Sequence, residues 1–191
     1  MINQKFYKDT SLEQYLDDLA ARIAAPGGGS AAALVASCGQ ALVSMVINFT
    51  VGKPQYARFE KQLQLLLEKS EKLRHEFLAL VDLDVQAFLS KDIRQAVDVP
   101  LMIARLAYEG MRVCTPLVKK GNKNLISDVA VAAVLLESAF SSAYYNVEIN
   151  LNGLKDKELA VKIHQEIEKK KKAIQRMRKI TEVAVGKIIR G

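Results

Sequence analysis

The chain has 191 residues, 50% of them hydrophobic and 26% charged, with ten Gly, four Pro and no Trp. That length buries one sizeable core and is too short for two comfortable domains, so a single helical domain over residues 1–191 is expected; the composition excludes a disordered chain and favours helices over strands. The net charge of +7 is concentrated in residues 169–191, which hold nine Lys or Arg against one Glu, so the body of the chain is close to neutral and is not a broadly basic nucleic-acid-binding surface.

Thr10 or Ser11 can cap a first helix running to about Ala25, with Leu12, Leu16, Leu19 and Ile23 on one apolar face. Pro26-Gly27-Gly28-Gly29-Ser30 ends it. From Ser30 to Val51 the sequence is apolar nearly all round and rich in Ala and Gly, which predicts a central helix with close neighbours rather than a membrane span, because Ser37, Gln40, Ser44, Asn48 and Thr50 dilute its hydrophobicity. A long amphipathic helix is expected over about Gln55 to Leu89, a fourth over about Leu101 to Lys119, and a second buried, Ala-rich helix from Ser127 or Asp128 to about Asn150. A last helix over about Asp156 to Ile189 carries the Lys cluster on its polar faces. The fold class is therefore all-α: a bundle of about six mostly long helices with two buried Ala-rich central ones.

The opening Met1-Ile2-Asn3-Gln4-Lys5 lacks the apolar run of a secretory signal, and Cys38 and Cys114 lack metal-ligand spacing. A cytoplasmic protein is expected, with two buried, reduced thiols, no metal, and neither a membrane nor a nucleic acid as partner.

Three features carry candidate chemistry. Three glycines before a helix permit close approach of a ligand or another backbone, Ser30 can cap that helix, and the free amides of its first turn suit a carboxylate or a polarised carbonyl; a tight helix crossing explains the glycines equally well. Gln40, Ser44 and Asn48 form a polar stripe at four-residue spacing on the second helix, and Ser138, Ser142, Asn146 and Asn150 form another on the fifth. Two such stripes can face one wet cleft or hydrogen-bond within the core. Asp82, Asp84 and Asp128 are the acidic candidates for proton transfer, although Asp128 also suits the positive end of a helix. His75 and His164 read as surface residues, and Gly52-Lys53 lacks the rest of a phosphate loop.

The ordered segments A-P-G-G-G-S-A-A-A-L (25–34), M-V-I-N-F-T-V-G-K-P-Q-Y (45–56), D-V-Q-A-F (84–88), V-P-L (99–101), G-N-K-N-L-I-S-D-V-A-V-A (121–132) and N-V-E-I-N-L (146–151) together resemble the formiminotetrahydrofolate cyclodeaminase and methenyltetrahydrofolate cyclohydrolase family. The resemblance implies a homodimer acting on a tetrahydrofolate derivative as substrate without metal or organic cofactor. It implies closure of a 5-formimino group onto N10 with release of ammonia, an ammonia-lyase reaction giving 5,10-methenyltetrahydrofolate; the alternatives are hydrolytic opening of that bridge, or a non-catalytic folate-binding or helical interaction protein. On this reading Asp84 or Asp128 is the acid/base, and Gly27, Gly28, Gly29, Ser30, Ser44, Asn48, Lys53, Tyr56, Asn122, Asn146 and Asn150 are the substrate-binding candidates. The sequence departs from the family pattern in one place: only eleven residues separate Phe88 from Pro100, where that pattern carries a longer segment with a Leu-Pro-Lys-like turn and an extra helix.

Overall fold

The computed structural model describes residues 6–191, and among these there is no strand. Six helices of nine residues or more follow one another: α1 (Leu12–Ala20), α2 (Gly28–Asn48), α3 (Glu60–Ser90), α4 (Ile93–Cys114), α6 (Ile126–Leu151) and α7 (Lys157–Arg190), with a single turn, α5 (Leu117–Lys120), between α4 and α6. Side-chain caps set several of these ends, among them Ser11, as the sequence suggests, and Asp156 at the expected start of the last helix. Ser11 accepts the amide of Gln14 at 3.1 Å, and Asp156 accepts that of Leu159 at 2.9 Å.

The core is the crossing of α2 and α6, with α3 on the other side of α2, α4 against both α3 and α6, and α7 along α6. Small residues set the α2–α6 distance. A Cβ on Gly39 would come within 3.1 Å of Leu135 and Leu136, so the two backbones approach as closely as a glycine allows. Phe77 on α3 and Phe140 on α6 are fully buried, and each such side chain contributes roughly 1.5–3 kcal/mol by leaving water. Gly28–Asn48 and the stretch Lys123–Leu151 are long and apolar enough to cross a membrane; in this fold they pack against each other at the centre of the bundle.

Three expectations change. α1 stops at Ala20, where Ala21 turns extended (φ −75°, ψ 164°), and most of its predicted apolar face points outward: Leu12 is 69% and Leu16 56% exposed, Leu19 packs partly against the core, and Tyr15 is the residue buried most deeply. Cys38 is exposed; Cys114 is buried with its Sγ on the Val129 carbonyl, and burial pushes that thiol up to about 12. α4 begins at Ile93, eight residues before the predicted start, with Pro100 inside the helix. Lys91, in the left-handed conformation (φ 58°), and Asp92, whose side chain accepts the Arg94 amide at 2.8 Å, are the whole connection from α3 to α4. The short segment after Phe88 is thus a two-residue corner, and it leaves Phe88 and Leu89 exposed.

The Lys169–Lys172 run is partly occupied within the fold. Lys170 sits over the Tyr108 ring at 4.5 Å and Lys171 over the Tyr144 ring at 3.7 Å, the latter also paired with Glu168.

Candidate active site

The glycine break delivers a bare helix end. Gly27 precedes α2 in an extended conformation and offers no capping side chain. Ser30 is the third residue of the helix rather than its cap. The amide that a cap would normally satisfy, Ser30 N–H, donates to the carboxylate of Asp84, which arrives from α3. A Cβ on Gly29 would overlap that carboxyl group, so the middle glycine is what lets α3 approach. The amides of Gly28 and Gly29, in the first turn, have no acceptor within their own helix and lie at its positive end. Burial raises the proton affinity of Asp84 above the ordinary carboxylate range, and the Ser30 amide partly offsets the shift.

Around this pair lies a cleft of about 340 Å³ lined by Gly27, Gly28, Gly29, Asp84, Phe88, Ala96, Asn146 and Asn150 with Ala24, Ala25, Ala87 and Ile149. Asp84 is the one charged residue in that lining. Asn146 and Asn150 stand one turn apart on α6: Nδ2 of Asn146 donates to the Ser142 carbonyl at 2.9 Å, and Nδ2 of Asn150 donates to the Ala96 carbonyl on α4. The cleft combines a carboxyl able to take and return a proton, two free amides, and carboxamide oxygens on the opposite wall, with Phe88 and Ile149 as apolar rims. Among the described residues no three His, Cys, Asp or Glu side chains gather in an arrangement that could hold a metal ion.

The structure therefore brings together Gly27, Gly28, Gly29, Asp84, Asn146 and Asn150, and leaves the other candidates elsewhere. Ser30 is fully buried behind the cleft wall. Ser44 faces α3, its hydroxyl 2.7 Å from that of Ser70, which also takes the Gln40 Nε2 donor at 2.7 Å; this stripe closes a helix–helix contact instead of opening a cleft. Asn48 is exposed at the last turn of α2, about 30 Å along the helix from Gly28. Near that same distant end, Asn122 donates to the Phe49 carbonyl at 3.1 Å and Tyr56 accepts the Lys123 amide at 3.1 Å, so the loop after α5 is stapled to the end of α2 and to the turn Pro54–Phe59. Lys53 leads into the turn Pro54–Phe59 beside them. Asp128 lies in the first turn of α6, about 27 Å along the helix from Asn146, and so cannot share a proton with a ligand on Asp84 in the same chain. Asp82 is buried on another face of α3 and accepts the backbone amides of Tyr7 and Lys8, which straps the N-terminal segment to the bundle.

That strap carries a residue which sequence reasoning passed over. Tyr15, 3% exposed, places its hydroxyl 3.1 Å from Ser30 Oγ, and the Tyr7 ring braces it edge-on at 5.5 Å. Tyr15 thereby fixes the residue whose amide holds Asp84. A Tyr inside an amphipathic helix has no spacing that marks it: Tyr15 stands three residues after Leu12 and four before Leu19, at the edge of the same stripe.

The protein is thus an all-α bundle whose cleft holds one partly buried carboxyl opposite a bare, glycine-built helix end. The profile of the formiminotransferase-cyclodeaminase family matches residues 11–92 and 89–169, two segments that meet at the short corner between α3 and α4. The chain is 35% identical over 181 aligned residues to a methenyltetrahydrofolate cyclohydrolase of Methylorubrum extorquens, covering 83% of this chain and 87% of that one. It is also 35% identical to the formimidoyltransferase-cyclodeaminase of Mus musculus over 83% of this chain, which spans about a third (34%) of that longer relative. Among solved structures it superposes on a formiminotetrahydrofolate cyclodeaminase from Thermotoga maritima with a TM-score of 0.90 at 28% identity, over 95% of this chain and 98% of that one. The chain belongs to the formiminotransferase-cyclodeaminase family, a family of folate one-carbon enzymes.

Proposed function

We propose that the protein is a tetrahydrofolate one-carbon enzyme of the cyclodeaminase type, converting 5-formiminotetrahydrofolate to 5,10-methenyltetrahydrofolate and ammonia with Asp84 as its acid/base. The observation that carries this reading is the raised proton affinity of Asp84 in a cleft with no other charged lining residue. In the reaction N10 adds to the carbon of the protonated formimino group (N5–CH=NH2+), forming a C–N10 bond and a tetrahedral centre that carries an amino group. The Asp84 carboxylate takes the N10 proton and returns it to the former imino nitrogen, whose bond to carbon breaks as ammonia leaves. The electron pair that leaves with nitrogen is replaced by the delocalised N5–C–N10 bond. Every step is an addition, an elimination or a proton transfer, so the reading calls for no cofactor.

The same groups serve a second reading, cyclohydrolase activity. It is favoured by the likeness to the Methylorubrum extorquens protein along 87% of that protein's length. There Asp84 takes a proton from water as it adds to the methenyl carbon and gives one to N5 as the bridge opens. Supplying 5-formiminotetrahydrofolate should release ammonia and raise the methenyl absorbance; supplying the methenyl compound and following loss of its chromophore identifies the second reading. No acceleration over buffer in either assay sinks both, and folate-induced thermal stabilisation without turnover would point to a binding protein.

A homodimer in the cytoplasm is part of the same proposal. Leu12, Leu16 and Ile23, each more than half exposed on and just beyond α1, are the apolar side chains a second copy would cover, and sedimentation as a monomer at micromolar concentration would remove that element.

A further inference from the structure

Pro100 lies inside α4, where it has no N–H to donate to the carbonyl four residues back, that of Ala96. Ala96 lines the cleft wall, and its carbonyl is the one that Asn150 Nδ2 on α6 takes. Because a carbonyl only accepts, the nitrogen of the Asn150 carboxamide must face it, and Oδ1 is left as the free end of the group. Oδ1 makes no hydrogen bond among the described residues. One turn earlier, Asn146 is held in the same sense by the Ser142 carbonyl, with its carboxamide over Gly28. Two carboxamides on one wall are thus both tied by their nitrogens.

We propose that Pro100 is a positioning residue of the binding site: by leaving the Ala96 carbonyl unpaired it orients Asn150 so that Oδ1 accepts an N–H of a bound heterocycle. The proposal rests on the folate reading for the ligand's class, an N–H-bearing pterin edge, and on the fold alone for the device. It also accounts for a helix that tolerates a proline: the bond lost within α4 is replaced by one from α6.

The test is Pro100→Ala, which returns an N–H to the Ala96 carbonyl and, as a better helix former, should leave the melting temperature equal or higher. With 5-formyltetrahydrofolate as a stable probe in calorimetry, P100A and N150A should each weaken binding about tenfold, as expected when one well-placed hydrogen bond is lost. The double variant should be no weaker than N150A, since both changes remove one device. Unchanged affinity in P100A, or losses that add in the double variant, would overturn the proposal. Side-chain amide NMR tests the device without any folate: one Asn150 Nδ2 proton should be protected from exchange in the parent and released in P100A, and persistence of that protection overturns the proposal. Failure of the parent to bind the probe, with the NMR change intact, would instead count against the folate reading and leave the device standing.

Discussion

Two polar stripes with the same four-residue spacing run along the two central helices, and they have opposite fates. On α2, Gln40 and Ser44 are covered by α3, and Ser70 at the centre of the contact accepts from Gln40 Nε2 and pairs hydroxyl to hydroxyl with Ser44. On α6, Asn146 and Asn150 are only partly buried, and the space opposite them is occupied by three glycines that present no side chain. Identical spacing thus yields a closed hydrogen-bonded seam where a helix with a serine lies across it, and an open cleft where the neighbouring chain is bare backbone. The difference lies in the opposing element, not in the stripe.

The largest effect should come from the open side. Asp84→Asn keeps the shape of the side chain and an acceptor for the Ser30 amide while removing the proton exchange, so kcat should fall by about 10²–10⁴. The measurement is turnover of either one-carbon substrate, and a loss below tenfold would remove Asp84 from its role. Stability should move the other way. Because burial raises the folded-state proton affinity of Asp84, the folded protein favours the protonated form, and its contribution to stability is present at low pH and lost as pH rises through that titration. D84N should therefore melt no lower than the parent at pH 7–8, while parent activity, which needs the carboxylate, should rise as pH passes through the Asp84 titration.

On the closed side the pattern should invert. Ser70→Ala leaves Gln40 and Ser44 without their shared partner in a fully buried seam and should cost about 1–3 kcal/mol in urea unfolding, with kcat and KM within twofold of the parent. A kinetic defect in S70A as large as its stability defect would mean that the seam and the cleft act as one unit.

How much of this contrast the sequence reveals depends on which force sets each feature. Helices whose ends are set by local chemistry, such as the Ser11 and Asp156 caps, are readable, as is the burial of α2 and α6 from their Ala-rich texture. The start of α4 is not, because Pro100 looks like a boundary until Asn150, fifty residues on, supplies the missing partner to Ala96. Lys53, Tyr56 and Asn122 fall in segments that resemble the family as strongly as the glycine break does, but a linear motif does not say at which end of a 30 Å helix it will lie. The outward face of α1 escapes for a related reason: its spacing marks an apolar stripe, and only the packing of Tyr15 on Ser30 decides that this stripe turns away from the core.

Tyr15 connects the open side to the strap. Tyr15→Phe keeps the edge-on contact with the Tyr7 ring and removes one buried hydrogen bond, so it should lower stability by about 1 kcal/mol. If Ser30 positions Asp84, kcat should also fall, by roughly three- to tenfold, with KM unchanged, and Y15F combined with Ser30→Ala should fall no further than the weaker single variant. Additive losses would make the contact simple packing.

The smallest effect belongs to the edge of the closed seam. Glu71 receives the Arg74 guanidinium through both of its oxygens, the shortest contact at 2.7 Å, and this bond, with the Ser44 hydroxyl second, brings its carboxyl down to about 2. A depressed carboxylate contributes stability above its unfolded value, near 4.5, and loses it as pH falls toward 2. The Glu71 side chain is 38% exposed, so water screens the pair and the contribution should be no more than about 0.2–1 kcal/mol. Arg74→Met should accordingly flatten the stability curve between pH 4.5 and 2 by that amount and leave the neutral-pH kinetics alone. An acid-range slope identical to the parent's would show that Ser44, rather than the ion pair, holds the charge on Glu71, and would extend the closed stripe by one more residue.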